Sequence, residues 1–273
     1  MNLLSFSRRA AALRVRMTCR QRGQSMTEFL VIAPLLLFFC LAIVQFVLLY
    51  QAKSTLDVAT LEAAREGAVN HGSKRAMQNG LARGLAPLYA RHADADGVEA
   101  AAQRAQFDAA NHSSIEIVSP TPAMTRDFAR PRYYPDEGLS HVEIPNDTLI
   151  YRNTFPGPQS GVDIRDANLL KIRVHYCYEM FVPLVNKVLY YAANVIGNAA
   201  ANGILTREPA DAGNDPYGAP RNPDALCVVK LADGIEAGHW PIALEAEAIV
   251  RMQSPFRGDA VDGLRADAMR GAR

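Results

Sequence analysis

The residue most suggestive of chemistry is Glu28, because it stands at the start of a long uncharged stretch. It follows Gly23 by five residues and directly precedes Phe29–Tyr50, 22 residues in which Gln45 and Tyr50 are the only polar members. A carboxylate at the edge of a segment long enough to cross a membrane is costly unless it is paired. Glu28 therefore needs a partner, either in its own chain or from outside.

One partner is available locally. Ser25-Met26-Thr27-Glu28 has the S/T-x-x-E pattern of a capping box, in which the Ser25 hydroxyl and the Glu28 carboxylate bind the first free amides of a helix. Negative charge also suits a helix N-terminus. The box would account for Glu28, but it leaves Gly23 without a role.

The uncharged stretch Phe29–Tyr50 predicts a transmembrane helix. Its 22 residues rise about 1.5 Å each, enough for a hydrocarbon core of roughly 30 Å. Its sixteen Leu, Ile, Phe and Val residues favour insertion by about 5–10 kcal/mol before Pro34 and Gln45 are subtracted. A buried core helix rarely stays uncharged for so long, and a cleaved secretory signal is shorter and ends at a small-residue site.

The charges around this segment predict its orientation. Residues 1–23 contain no acidic residue, and the rest of the chain has 23 basic against 28 acidic residues, a formal charge of −5. An excess of Arg before the segment places the N-terminus in the cytoplasm and the remaining chain in the periplasm. The body lacks the clustered Lys and Arg of a nucleic-acid surface. The arginines of the head are Arg8, Arg9, Arg14, Arg16, Arg20 and Arg22.

The stretch "GQSMTEFLVIAPLLLFFCLAIVQFVLLYQAKSTLDVATLEAAREGA", beginning at Gly23, resembles the N-terminal signature of TadE-like proteins. The features that carry the resemblance are the basic head, Gly23, Glu28 and Pro34. A fainter similarity returns at Ala243–Pro255, which looks like the closing strand of such proteins. TadE-like proteins are minor pseudopilins of the tight-adherence (Flp) pilus system.

The resemblance implies a processing site. A prepilin peptidase would cleave after Gly23, Gln24 would become the first mature residue, and Glu28 would register the subunit against the N-terminal amine of a neighbour. The leader would have 23 residues from Met1, or seven if translation starts at Met17. An uncleaved anchor in which the capping box explains Glu28 is the alternative.

Beyond the membrane, the pattern predicts an α+β domain in which short helices pack on a small, mostly antiparallel sheet. Helices are expected at Ser73–Ala93, Gly97–Ser113 and Leu184–Gly203. Strands are expected at Ser114–Ser119, within Asn168–Val185 and at His239–Gln253. In the second of these strands one face is apolar, and it consists of Leu170, Ile172, Val174, Tyr176 and Tyr178.

Three further patterns make separate predictions. The membrane helix should continue to about Val69 with Ala52, Leu56, Ala59, Ala63 and Gly67 on one face, packed either on its own domain or on another subunit. In the helix Leu184–Gly203, the apolar side should consist of Leu184, Val188, Tyr191, Val195 and Ile196. Residues 119–160 hold seven of the sixteen prolines and predict a long loop with one edge strand.

The predicted organisation is therefore a basic cytoplasmic head (1–23), a TadE-like transmembrane helix (24–52) and a periplasmic domain (53–273) with a flexible tail from about 256. Cys177 and Cys227 would share the oxidising compartment and form a disulfide, unless they are two buried thiols that never meet.

The sequence predicts no catalytic residue, no metal site and no cofactor, because the six His are scattered and catalytic and nucleotide-binding motifs are missing. A membrane-anchored periplasmic enzyme would need a polar pocket that the sequence does not show. The predicted function is that of a non-enzymatic minor pseudopilin in the bacterial inner membrane. Its partners would be the lipid bilayer, pilin-like subunits, pilus-assembly proteins and a prepilin peptidase, but not nucleic acid. The alternative is an uncleaved single-pass scaffold with a periplasmic interaction domain.

Overall fold

The computed structural model describes residues 24–192, Cys227 and residues 240–257. The described part is α+β, as predicted. In chain order its elements are α1 (Gln24–Val69), α2 (Lys74–Tyr89), α3 (Ala95–Asn111), β1 (Ser113–Ser119), α4 (Pro122–Phe128), β2 (Arg130–Tyr134), β3 (Leu139–Glu143), β4 (Leu169–Met180) and β5 (Trp240–Arg251). Residues 185–192 are also helical.

The chain divides into two compact units, Met1–Cys40 and Leu41–Arg273. In the first unit the structure describes the beginning of α1, which includes Pro34. Proline removes one amide donor from a helix, and transmembrane helices tolerate such a residue. All the other described elements belong to the second unit.

The larger sheet has the strand order β1-β4-β5, and both of its pairings are antiparallel. Val174, near the middle of β4, pairs with Ile115 on β1 and with Ala246 on β5. The predicted apolar face of β4 is confirmed, because all five of its residues are buried in the core: Leu170, Ile172, Val174, Tyr176 and Tyr178. The smaller sheet is the antiparallel pair β2-β3.

The predicted small-residue face of α1 packs inside its own unit. A Cβ added at Gly84 of α2 would lie 2.4 Å from Ala59 Cα, and one at Gly67 would lie 2.7 Å from Met77 Cγ. At Gly84 the two helix backbones are too close for a larger side chain, and at Gly67 the side chain of Met77 occupies the space. Of the two arrangements that the sequence left open, the structure shows the contact with the chain's own domain.

The proline-rich segment 119–160 is more regular than predicted, since it contains α4 and the hairpin β2-β3. Thr121 caps α4 by accepting a hydrogen bond from the Met124 amide at 3.3 Å. Pro122 is the first helical residue, where its missing N–H is not needed. Pro131 lies in a two-stranded sheet, in which every strand is an edge. The prolines thus begin or border elements here, and the prediction of one long loop is corrected.

The helix at residues 185–192 buries a different side from the one predicted. Leu184, Val188 and Tyr191 are exposed, whereas Val185 and Asn186 are buried. Asn186 faces inward because its Nδ2 donates to the Met180 carbonyl at the end of β4. The remaining predicted members of the apolar side, Val195 and Ile196, lie outside the described residues.

The predicted tail, 256–273, starts with two ordered residues. Phe256 is buried and forms a β-bridge with Ile144. Arg257 Nε donates to Glu143 Oε2 at 2.8 Å. The buried ring of Phe256 and the ion pair of Arg257 with the buried Glu143 therefore fix this end of the chain to the domain. Residues 258–273 lie outside the described part.

Candidate functional site

The first half of α1 is apolar on all sides and exposed. Within the described residues, α1 is the one helix long and apolar enough to cross a membrane, and 6% of its most apolar window is buried. A core helix of a soluble domain would bury most of that surface. The helix therefore fits a single-pass membrane protein. Its exposed large side chains include Phe29, Leu30, Val31, Leu35, Leu36, Leu37, Phe39, Ile43, Val44, Phe46 and Val47.

The surface of α1 changes after Tyr50. Tyr50 is 79% exposed, whereas Ala52 and Leu56 are fully buried. From Ala52 onward one face of α1 belongs to the core of the second unit. The change coincides with the end of the predicted transmembrane segment, 24–52.

Glu28 is the fifth residue of α1 as described, which begins at Gln24. Its side chain is exposed, and no described residue forms an ion pair with it. Ser25 already lies inside the helix, whereas a capping box requires it to stand at the cap with non-helical backbone angles. Gly23, the predicted cleavage position, lies outside the described residues.

Gln45 is a second polar residue of the apolar stretch, and sequence reasoning gave it no role. It is fully buried although its neighbours on α1 are exposed. Its Oε1 accepts a hydrogen bond from the Val182 amide at 3.0 Å. The segment after β4 therefore covers Gln45 and satisfies one of its polar atoms. The only signal in the sequence was the isolated amide in an apolar run.

A buried polar cluster lies between α2, α3 and β4. The Tyr89 hydroxyl donates to Asp108 Oδ2 and also forms a hydrogen bond with the Tyr176 hydroxyl. On the other side, His112 Nδ1 lies 3.1 Å from Asp108 Oδ1, and Arg104 Nε lies 3.7 Å from it. The fully buried carboxylate of Asp108 thus has partners from α2, from α3 and from the residue that follows α3. Sequence spacing could not reveal the cluster, because Tyr89 and Tyr176 are 87 residues apart.

The cluster lines a cavity of about 260 Å³ that also reaches Leu48 and Gln51 of α1. Burial raises the pKa of Tyr89 and of Tyr176 above the ordinary phenol value, which further disfavours the phenolate form. Protonated phenols can donate hydrogen bonds, but they are poor bases and nucleophiles. The arrangement is suited to holding α2, α3 and β4 together.

Cys177 and Cys227 form a disulfide with their Cα atoms 5.5 Å apart. Cys177 lies on β4, and its amide donates to the His112 carbonyl. The bond attaches Cys227 to the central strand of the larger sheet. Cys40 is a free, exposed cysteine of α1.

Among the residues that the structure describes, no three His, Cys, Asp or Glu side chains are grouped as metal ligands would be. Asp94 and Asp96 are two carboxylates close together in the sequence. Asp94 does not belong to a group of metal ligands but caps α3, where its side chain accepts a hydrogen bond from the Gly97 amide at 2.9 Å.

Comparison with known proteins identifies the N-terminal segment. Residues 23–65 match the family described as TadE-like protein, which is related to the tight-adherence pilus. The match includes Gly23, Glu28 and Gln45 but not Ala243–Pro255, where the sequence suggested a second similarity. No curated protein and no solved structure matches the chain. Over residues 23–65 the chain is therefore similar to TadE-like proteins, as its sequence predicts.

Proposed function

We propose that this protein is a minor pseudopilin-like subunit that serves the assembly of a tight-adherence pilus or a related secretion apparatus. The observation that carries the proposal is the two-part surface of α1. Up to Tyr50 the helix is apolar and exposed, and from Ala52 it is built into the domain core. Such a helix can anchor the chain in the bilayer or pack among pilin-like helices while it carries its domain outside.

The proposed processing site supports this function. Cleavage after Gly23 by a prepilin peptidase would make Gln24 the N-terminus and leave Glu28 as residue five of the mature helix. An exposed carboxylate without an ion-pair partner among the described residues is suited to binding the N-terminal amine of a neighbouring subunit. The match to TadE-like proteins begins at Gly23 itself.

The proposed orientation places residues 1–23 in the cytoplasm and the second unit, after the membrane segment, in the periplasm of a bacterial inner membrane. Six arginines precede the membrane segment, which favours the cytoplasm for that end. The Cys177–Cys227 disulfide supports a periplasmic domain, because disulfides persist in oxidising compartments.

A second candidate is an uncleaved inner-membrane scaffold with a periplasmic interaction domain. It is favoured by the burial of the small-residue face of α1 within the chain's own unit. That face is occupied and cannot also join helices of other subunits. In this case the anchor would be permanent, and contacts with partners would lie on the outer domain.

The N-terminal peptide of the protein from native membranes, read by mass spectrometry, separates the two candidates. A peptide that begins at Gln24 supports the pseudopilin, whereas one that begins at Met1 or Met17 overturns cleavage and supports the scaffold. Gly23→Val should abolish the Gln24 peptide. Ser25→Ala is the matched control, because it changes a neighbouring residue of the same helix and leaves Gly23 and Glu28 in place.

A functional assay completes this test. The Glu28→Ala protein should still be cleaved and stably inserted in the membrane. It should form fewer pili, because the variant lacks the carboxylate that would bind the N-terminal amine of a neighbouring subunit. Normal pili in cells that carry Glu28→Ala would contradict the proposed role of Glu28.

A further inference from the structure

The segment after β4, Phe181–Tyr191, presents apolar side chains on one side. Phe181 is 46% exposed, and Leu184, Val188 and Tyr191 are 64%, 51% and 58% exposed. Val188 and Tyr191 follow the i, i+3 spacing of one helix face, whereas Phe181 and Leu184 precede the helix, Leu184 with a left-handed backbone (φ 66°). The opposite side, with Val185 and Asn186, is buried in the domain. This segment, here called the interfacial segment, thus consists of a turn followed by a short amphipathic helix, and its exposed apolar side chains point away from its own domain.

The position of the interfacial segment along α1 shows where this apolar side lies. Its Val182 amide donates to Gln45, five residues before Tyr50. At about 1.5 Å per residue, Gln45 lies roughly 7 Å from Tyr50 along the helix axis, toward the membrane centre. Amphipathic interfacial helices bury their apolar faces about 5–10 Å into the boundary between headgroups and acyl chains. The segment is therefore at the depth of that boundary.

The direction of the sheet supports the same placement. Gly67, near the far end of α1, approaches Leu170 at the start of β4, whereas Gln45 contacts the residue Val182 after its end. The strand β4 thus runs antiparallel to α1, with its C-terminal end toward the membrane half of the helix. Trp240 pairs with Met180 at this end of the sheet.

The chemistry of the segment matches a lipid interface. The rings of Tyr190 and Tyr191 lie 4.9 Å and 5.6 Å from the Trp240 ring, and Lys187 Nζ lies 5.9 Å from it. Tyr and Trp are enriched at the level of lipid headgroups, and a lysine near the membrane surface is attracted to anionic lipids. The segment contains no acidic residue.

We propose that the interfacial segment binds the phospholipid bilayer. The outer domain would then contact the membrane surface beside α1 and would not be attached through α1 alone. The segment contacts α1 at Gln45, whose chain neighbours Val44 and Phe46 are exposed, and Lys187 would face anionic headgroups. The segment also shields the Gln45 amide from hydrocarbon. The proposal rests on the proposed membrane anchoring by α1.

Trp240 provides a probe, because it is the only tryptophan of the chain. The full-length protein is inserted into vesicles of phosphatidylcholine and phosphatidylglycerol that contain lipids labelled with a nitroxide at a shallow or a deep acyl carbon. Nitroxides quench tryptophan fluorescence at short range. For a group at the headgroup boundary we expect about twofold stronger quenching by the shallow label than by the deep one.

Two glutamate substitutions extend the test. Leu184→Glu combined with Val188→Glu should reduce the quenching of Trp240 by the shallow label, since carboxylates leave the interface and are repelled by anionic lipid. Ile249→Glu is the matched control, because Ile249 is an equally exposed apolar residue (59%) on β5. It should leave quenching unchanged. The Cys177–Cys227 disulfide, read on a non-reducing gel, reports that each variant is folded.

The outcomes separate this inference from the proposed function. If alkaline carbonate extracts the wild-type protein from the vesicles, α1 is not an anchor and both proposals fail. If the protein stays inserted but neither label quenches Trp240, membrane anchoring by α1 is supported and the binding of the interfacial segment to the bilayer is overturned. In the same experiment, cross-linking between copies that requires Leu184→Cys in a Cys19→Ser, Cys40→Ser background would assign the exposed side to a second copy of this chain and would equally overturn a lipid contact.

Discussion

The close contact between α2 and α1 predicts that Gly84→Ala destabilises the protein, although alanine is the better helix former. The substitution gains about 1 kcal/mol of helix propensity. The added Cβ, however, would lie 2.4 Å from Ala59 Cα and 2.6 Å from Ala59 Cβ. Because one of these atoms is backbone, a rotamer change cannot relieve the overlap, and overpacking typically costs about 1–3 kcal/mol. We expect a net loss of about 1–2 kcal/mol, since the overlap falls at the upper end of that range.

For a domain of this size the loss corresponds to a melting temperature lower by roughly 2–8 °C. Thermal unfolding of the full chain in detergent, followed by Trp240 fluorescence, measures it. Asn79→Ala is the matched control, because Asn79 is an exposed position on the same helix, and it should be neutral or slightly stabilising. Ala59→Gly in the Gly84→Ala background should restore stability in part, by removing one of the two overlapping atoms. A melting temperature for Gly84→Ala at or above that of the wild type would refute the predicted close packing of the two helices.

Three further predictions use the same unfolding assay. Arg257→Ala should cost about 2 kcal/mol, because it removes the 2.8 Å charged partner of the buried Glu143 carboxylate, which keeps the Tyr134 hydroxyl at 2.7 Å and Arg132 at 3.9 Å. Hydrogen bonding by Lys171 holds the pKa of Glu247 below its usual range, so this pair stabilises the fold above the ordinary carboxyl pKa and the stabilisation is lost as pH falls through the lowered one. Cys227→Ser should cost about 4 kcal/mol, since it opens a loop that closes over 50 residues.

Each of these predictions has its own control. Arg251→Ala, at an exposed arginine at the end of β5, should leave the melting temperature unchanged, so an equal effect at both positions would argue against the pairing of Arg257 with Glu143. Glu247→Gln should flatten the dependence of the melting temperature on acidic pH, and a curve parallel to the wild type would contradict the role of Glu247. A reductant should lower the wild-type melting temperature and have no effect on Cys227→Ser, and equal sensitivity of the two proteins would argue against the disulfide.

The three strands of the larger sheet were predictable because their information is local, whereas β2 and β3 were not predicted. The alternation along β4 places Leu170, Ile172 and Val174 on one side whatever lies opposite, and the structure buries that side. The helices α2 and α3 were predicted within a few residues of their observed bounds, although α3 begins at Ala95, after its cap Asp94, and not at the predicted Gly97.

The disulfide could be predicted from the sequence, whereas the buried polar cluster could not. Cys177 and Cys227 could be paired by elimination, because the other two cysteines belong to the head and the membrane segment. The cluster around Asp108 could not be foreseen, since Tyr89 and Tyr176 are ordinary core residues in their own segments. Tyr89 meets Asp108, and Tyr176 meets Tyr89, only because α2, α3 and β4 pack together.

The sequence by itself determined the apolar membrane segment, the position of Glu28 at its start and the alternation of the strands, because length, charge and periodicity act within a single element. Only the tertiary structure decided what each surface touches. It placed the small-residue face of α1 against α2, covered Gln45 with the segment after β4 and turned Leu184, Val188 and Tyr191 outward. An apolar side chain can be buried equally well by its own domain, by another subunit or by lipid, and the choice depends on contacts between distant parts of the chain.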